Sequence, residues 1–575
     1  MDEKSTKIEK NNLIAKKIKQ LQNIASEKWL YNEQYAVITI IRALELAAGI
    51  GLSTNAINST TVEEERFYAA YGAALALEPF LHKIKDLPGG IPWMPSNSET
   101  NTWAISYLIT CGKLAYLQRL SYLERYGLSK VTENNNEITI TVKHSTMEFA
   151  QTAAIRLSTH KPDTNPSLVS TIKYKDKKFS KKMESYVATH NGWFIRYDND
   201  ESIVNHYREK ALDYASRFLE GEALPEQAII GGRSFRDWKI VCENALGRIL
   251  CHIDFAKALK RKNPEINLQD VNTLYARKDD IAAVWIESGL AREHLAATMD
   301  ALTIKADELG SWIKDFELPC PFYIEYSKDF LLIPCFGPIA NPYFALFRHL
   351  RMTYTLDWDK AVDQREKIFR DDLSKIFPNS HYAVPSTGFK LRNPDNSILT
   401  DIDAVVIDRF NGNIALIQLK WHDIVGKSLT QRDSRRKNIV SANKWVSRVY
   451  DWANSNPIEM ILTRLGVNST TTPSSPPTLF VIARYTARFS GDHMLDERAH
   501  WMGWHEMLEL CKNLPKKNRL KSVPLVVAQF EETFNTGQTF EKTFNFKELT
   551  VNLRSLPVES SPPPSSQNEQ NIKKI

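Results

Sequence analysis

The stretch Thr400-Asp-Ile-Asp-Ala-Val-Val-Ile-Asp-Arg-Phe-Asn-Gly-Asn-Ile-Ala-Leu-Ile-Gln-Leu-Lys-Trp-His-Asp423 decides how this chain is read. Two apolar runs, Ala404 to Ile407 and Ile414 to Leu419, flank Asn411-Gly412, a dipeptide suited to a tight hairpin turn. Pairing the runs as strands sets the start of the first beside the end of the second. Asp403 then lies next to the Gln418 amide oxygen and the Lys420 ammonium. Residues 418 and 420 are two apart, so they share a strand face. Hard oxygen ligands beside a lysine suit a divalent-metal phosphodiesterase, in which the metal polarises the phosphate and the lysine orients the attacking water. Solvated charges at strand ends would explain Asp401 or Lys420 singly. They explain less well a lysine at the end of an apolar, buried-type strand, where an unpaired ammonium is costly.

This stretch resembles the PD-(D/E)xK nuclease superfamily, the fold of many restriction enzymes and Holliday-junction resolvases. Within it, the stretch is similar to the Mrr-like branch, in which glutamine replaces the acidic residue before x-Lys. Asp401-Ile-Asp403 followed by Ala-Val-Val-Ile matches the first acidic strand, with Asp403 in the metal-ligand position, and Gln418-x-Lys420 matches the second half. The family usually carries a further acid on a preceding helix. Arg365-Glu366-Lys-Ile-Phe369-Arg-Asp-Asp-Leu373 reads as that helix, with Glu366 the candidate. The resemblance spans roughly Asp359 to Val551, about a third of the chain. It implies a catalytic set of Glu366, Asp403, Gln418 and Lys420. It also implies Mg²⁺, with Mn²⁺ as a substitute, held by Asp403, the Gln418 side-chain oxygen and the Leu419 carbonyl. Glu366 would bind the metal directly or through water. The implied activity is that of an endonuclease on DNA in preference to RNA, leaving a 5′-phosphate and a 3′-hydroxyl.

A chain of 575 residues exceeds a single ordinary core and calls for several domains. Its 43% hydrophobic and 25% charged content are those of a globular protein and exclude a disordered or fibrous one. A net charge of +6 permits nucleic acid as a partner without demanding it. Six scattered cysteines with no Cys-x-x-Cys pair argue against a zinc ribbon or a disulfide framework. Residues 1–20 are Lys- and Asn-rich without an apolar leader segment, and no run approaches a membrane span, so a cytoplasmic protein without membrane partners is expected.

Residues 1–318 read as mainly helical, of unknown sensing, recruiting or regulatory role. Ile14, Ile18, Leu21 and Ala25 share a face, Tyr35 to Leu52 forms a long apolar helix, and Phe67, Tyr71 and Leu75 recur at helical spacing. Trp103 to Tyr126, Ile203 to Phe218, Trp238 to Leu259 and Ile281 to Leu302 continue the pattern. Glu137-Ile-Thr-Ile-Thr-Val142 alternates as a strand. Gly231-Gly232-Arg233-Ser234 lacks the Lys-Ser/Thr ending of a phosphate loop and reads as a turn before a helix.

A Pro-punctuated β-hairpin over 319–350 reads as the junction between halves, 351–553 as the nuclease-like domain and 554–575 as a disordered tail. Within 351–553, a helix is expected over Leu429 to Asn454, strands at Leu479 to Ala483 and Val523 to Ala528, and a helix around Trp501 to Cys511. Lys427, Arg432, Arg435, Arg436, Lys437 and Lys444 cluster just past the Gln-x-Lys strand, where a phosphate backbone would favour them. The three arginines fall at overlapping i, i+3 and i+4 positions of one helix.

The fold class expected is therefore multidomain α plus α/β: a mainly helical N-terminal region, then a restriction-endonuclease-like mixed sheet flanked by helices. The expected function is metal-dependent phosphodiester hydrolysis, and by analogy of architecture alone a role in bacterial defence or restriction. A non-cleaving nucleic-acid-binding module and an interaction scaffold, homo-oligomeric or partnered through the helical region, are the alternatives.

Overall fold

The computed structural model describes residues 13–49, 60–88, 94–143, 155, 166–316, 321–424, 426, 428–464, 476–491, 495–524 and 540–555. The chain divides into two compact units. Unit 1 comprises 1–119, 153–365 and 423–432; unit 2 comprises 120–152, 366–422 and 433–575.

Unit 1 is helical, as its periodicity predicts. Helix Leu13–Lys28 buries Ile14, Ile18 and Ala25 on one face, and Glu33–Ala47 is nearly all buried. Helix Thr60–Ile84 buries Tyr68 and Leu75 but leaves Phe67 43% exposed, so its inner face is turned by one residue from the expected one. Glu201–Ala215 and Phe235–Lys262 follow. The span expected as one helix over 281–302 is two, Lys278–Glu287 and Leu295–Leu302, parted at Gly289. Residues 231–234 do form a turn before a helix, with the Ser234 side chain capping Phe235–Lys262.

The hairpin expected as a junction is Tyr323–Glu325 and Phe330–Ile333, and it lies inside unit 1. Its strands are not a linker because they complete a four-stranded sheet with Leu274–Arg277 and Thr303–Ile304.

Unit 2 is built on a five-stranded mixed sheet. In chain order its elements are α1 (Arg365–Ile376), whose first residue still belongs to unit 1, β1 (Tyr382–Ala383), β2 (Phe389–Arg392), β3 (Ile398–Ile402), β4 (Ala404–Asp408) and β5 (Ile414–Lys420). Then come α2 (Leu429–Val440), α3 (Ala442–Ser455), β6 (Thr478–Ala483), β7 (Ala499–Gly503) and α4 (Trp504–Asn513). The order across the sheet is β1-β4-β5-β6-β7, antiparallel as far as β5 and parallel from there to β7.

The Val-Val-Ile and Ile-Ala-Leu-Ile runs of β4 and β5 are buried along their lengths, as expected for central strands covered on both faces. Their turn is organised by Asp408, whose carboxylate accepts from the Phe410 and Asn411 N–H groups, while Gly412 takes φ +73°. Phe369 and Leu373 of α1 pack with Ala404, Ile417, Phe480 and Met502 to form the core.

Three details depart from the expected order. The helix foreseen over Leu429 to Asn454 is two, α2 and α3, with the Arg432/Asp433 unit boundary inside α2. Trp501 is in strand β7, so α4 begins only at Trp504. Residues 519–524 are helical where a strand was foreseen from Val523, and 525–528 lie outside the described residues, as do 554–575 except Arg554 and Ser555. The strand Glu137–Val142 also belongs to unit 2: it pairs antiparallel with Ser129–Asn134 and parallel with Leu549–Ser555.

Candidate metal centre

The β4–β5 register pairs Ala404 with Ile417, so the residue before the one meets the residue after the other. Asp403 sits in a one-residue bend between β3 and β4, 5% exposed. Its Oδ2 accepts the Leu419 backbone N–H at 2.7 Å and the Gln418 side-chain Nε2. The convergence expected from the hairpin is present, with one difference. The amide nitrogen of Gln418, not its oxygen, faces the carboxylate; a half-turn about the terminal torsion exchanges them.

Burial pushes the Asp403 carboxyl up to about 6. The Leu419 N–H opposes that shift, and the negative charge of Glu366 adds to it. Glu366 stands in the first turn of α1, half exposed, and pairs with Arg370 one turn later. Arg370 is buried and reaches further. Its Nε donates to the Asp403 carbonyl at 2.6 Å and its Nη1 to the Ser386 carbonyl at 3.2 Å. Gly388 makes this approach feasible, because a Cβ there would lie 2.7 Å from the Ile402 carbonyl oxygen. Sequence reading named Glu366 but missed Arg370 and Gly388, and the i, i+4 spacing from Glu366 is the one signal that could have found the arginine.

Lys420 ends β5, partly buried, on the strand face it shares with Gln418. Among the described residues it has no ion-pair partner. Its carbonyl accepts the Arg484 N–H at 2.8 Å, which ties the end of β5 to the end of β6. The Arg484 side chain pairs with Asp372 at 2.7 Å and stacks over Trp421 at 4.6 Å, a cation held between α1 and the residue after Lys420. It too went unnoticed in the sequence.

Among the described residues no group of three or more His, Cys, Asp or Glu side chains is placed to hold a metal. The carboxylates whose charge acts on Asp403 are Glu366 and, more weakly, Asp401, and the other oxygens nearby are neutral. That donor set fits a hard divalent cation. A buried carboxylate pushed upward by burial and a second negative charge is relieved by positive charge, and Mg²⁺ keeps several of its waters.

The basic cluster is corrected in part. Arg432 and Arg435 are 1% and 8% exposed, so they do not form a solvent-facing stripe with Arg436. The apolar side of an amphipathic helix takes whatever residues its packing direction selects, long arginine stems included. Arg436 and Lys437 lie on the outer side and pair with Asp433, at 3.6 and 2.7 Å. Lys444 and Arg448 on α3 are exposed, and Lys427 lies outside the described residues.

Among the described residues no helix is long and apolar enough to cross a membrane. No protein-family profile, no curated protein and no solved structure matches this chain.

Proposed function

We propose that unit 2 is a metal-dependent nuclease acting on DNA. The observation that carries this reading is the buried Asp403 carboxylate, under the field of Glu366 and held by the Leu419 N–H and by Gln418, which is two residues before Lys420. The succession helix, acidic strand, Gln-x-Lys strand, helices and parallel strand supports the resemblance to the PD-(D/E)xK fold.

Asp403, the Gln418 oxygen after its half-turn and the Leu419 carbonyl would hold Mg²⁺, with Glu366 reaching it directly or through water. In an antiparallel ladder a residue's N–H and C=O are directed to the same neighbour, so the Leu419 carbonyl shares the side of its N–H. Bound there, the ion would polarise the scissile phosphate and lower the pKa of the attacking water. Lys420 places its ammonium against the non-bridging phosphate oxygens and orients that water. Arg370 fixes the Asp403 backbone and sets the direction of Glu366. Arg436, Lys437, Lys444 and Arg448, on the outward sides of α2 and α3, supply the phosphate contacts.

One observation favours a second reading, a nucleic-acid-binding module without cleavage. The Gln418 amide already satisfies Asp403 without an ion. Incubating the purified chain with plasmid, linear duplex and RNA, with and without Mg²⁺ or Mn²⁺, separates the two. Metal-dependent nicking that is lost in Asp403→Ala supports the nuclease. Binding without metal-dependent cleavage of any substrate leaves the second reading.

A further inference from the structure

Unit 1 carries a candidate ligand site of its own. Helices Glu201–Ala215 and Phe235–Lys262 contribute to a cleft of about 670 Å³, walled also by Phe218 and Tyr343. Arg208 and Asn244 continue into a smaller recess of about 90 Å³ that holds Arg248 and Ser288. Small-molecule sites are concave, roughly 300–1,000 Å³, with apolar walls and a few placed polar groups.

The charges are distributed unevenly along it. At one end Glu226 pairs with Lys239 at 3.1 Å and with Arg236 at 3.6 Å. At the other end, among the described residues, neither Arg208 nor Arg248 forms an ion pair. Arg208 donates to the Asn205 side chain at 3.3 Å. Arg248 donates to the Val284 carbonyl at 3.3 Å and to the Ser288 hydroxyl, and lies 5.3 Å from the Trp285 ring centre. Desolvation draws the Arg248 guanidinium below its ordinary value and the charge of Arg208 pushes the same way, against the opposing pull of Tyr323 and Glu287. Two guanidiniums set against each other beside a cavity are relieved by an anion, and a tetrahedral phosphate offers oxygens to both forks.

We propose that unit 1 binds a small phosphorylated organic ligand, with its phosphate in the recess between Arg208 and Arg248 and its organic part in the cleft against Phe218 and Tyr343. The Asn244 side-chain amide completes the phosphate's donors, since the Ser288 hydroxyl already donates to the Val284 carbonyl at 2.6 Å. The recess admits one such group. The cleft beyond it is lined by Glu222, Glu226 and Glu243 together with Arg236 and Lys239, a mixed wall that offers acceptors and donors to the hydroxyl or amino groups of a small molecule.

Calorimetry on the full chain with AMP and inorganic phosphate, in EDTA to keep metal from Asp403, tests this. Saturable AMP binding is expected, with phosphate competing more weakly. Arg208→Gln with Arg248→Gln should weaken AMP by about 10-fold or more, the size of a lost charge-assisted hydrogen bond. Asp403→Ala should bind AMP like the wild type, which separates this site from the proposed metal centre. If the double variant melts early, Arg208→Gln alone serves, since that exposed side chain makes a single hydrogen bond to Asn205. Absence of saturable binding by either probe at ~5 mM, a concentration reaching beyond millimolar affinities, overturns the proposal. So does equal AMP affinity of variant and wild type, or displacement of bound AMP by short duplex DNA.

Discussion

The Leu419 backbone N–H donates to the Asp403 carboxylate at 2.7 Å, joining the end of β5 to the bend that precedes β4. The acid is therefore positioned by main chain as well as by the Gln418 side chain. A substitution at 420 should leave it in place and report on chemistry.

Stability without metal should fall as pH rises through the range where Asp403 ionises. Its folded carboxyl is raised from 3.8 to about 6, so the folded state binds the proton more tightly than the unfolded one. The resulting contribution, about 3 kcal/mol at 1.36 kcal/mol per unit, is present below pH about 4 and lost by pH about 6. Asp403→Asn keeps an oxygen for the Leu419 and Gln418 N–H groups and removes the charge. It should be more stable than the wild type above pH 6 in EDTA and should bind no Mg²⁺. Denaturant melts across pH 4–8 check this, and a variant no more stable than the wild type at pH 8 would rule out a strained carboxylate.

Gln418→Glu should tighten Mg²⁺ binding and lower stability without metal. The donating amide becomes a second carboxylate facing Asp403, a repulsion that a cation reverses. Titration calorimetry and melts with and without Mg²⁺ read both effects. An unchanged metal affinity would make Gln418 a packing residue.

Lys420→Ala should reduce cleavage by about 10²–10³-fold, the usual loss when one preorganised charge-stabilising donor is removed. Lys420 is partly exposed and has no ion pair among the described residues, so the melting temperature should hardly move. Cleavage at the wild-type rate sinks its assigned role.

Arg370→Met should destabilise unit 2 by about 3 kcal/mol, because the Asp403 and Ser386 carbonyls lose a buried charged donor. Mg²⁺ affinity should change as well, since Glu366 loses its partner. A variant as stable as the wild type would show that the guanidinium is dispensable.

Neutralising Arg436, Lys437 and Lys444 should weaken DNA binding and flatten its salt dependence by roughly 0.9 in log–log slope per lost phosphate contact. Arg432→Gln with Arg435→Gln should instead lower stability, because both side chains are buried. Filter-binding series in salt and thermal melts distinguish the two sets. Overlaid binding curves for the triple variant would make that surface a merely solvated one.

The candidate centre was legible because its parts are local. Asp403 and Gln418 are joined by one hairpin, closed by a short connection over 409–413 longer than the two-residue turn expected at Asn411-Gly412, and the β-branched runs either side leave little freedom in their pairing. Glu366 needed more, since a glutamate in a helix's first turn is ordinary until the fold brings it within the field of Asp403. The Gln418 side chain was placed correctly but its orientation was not. The sequence names an amide, and the neighbours choose which end of it faces the acid.

By itself the sequence determined the helical character of unit 1, the hairpin with its acid and lysine, and the β-strand nature of Glu137–Val142, all written in periodicity over a few residues. Only the tertiary structure decided that this strand pairs with Leu549–Ser555, several hundred residues on, because nothing in local spacing encodes which distant edge a strand will find. It also decided that Arg370 binds the Asp403 carbonyl, an acceptor every residue carries and which therefore leaves no mark in the sequence. The same holds for the burial of Arg432 and Arg435. A charge pattern on a helix reads alike on either face, and only packing selects the face turned inward.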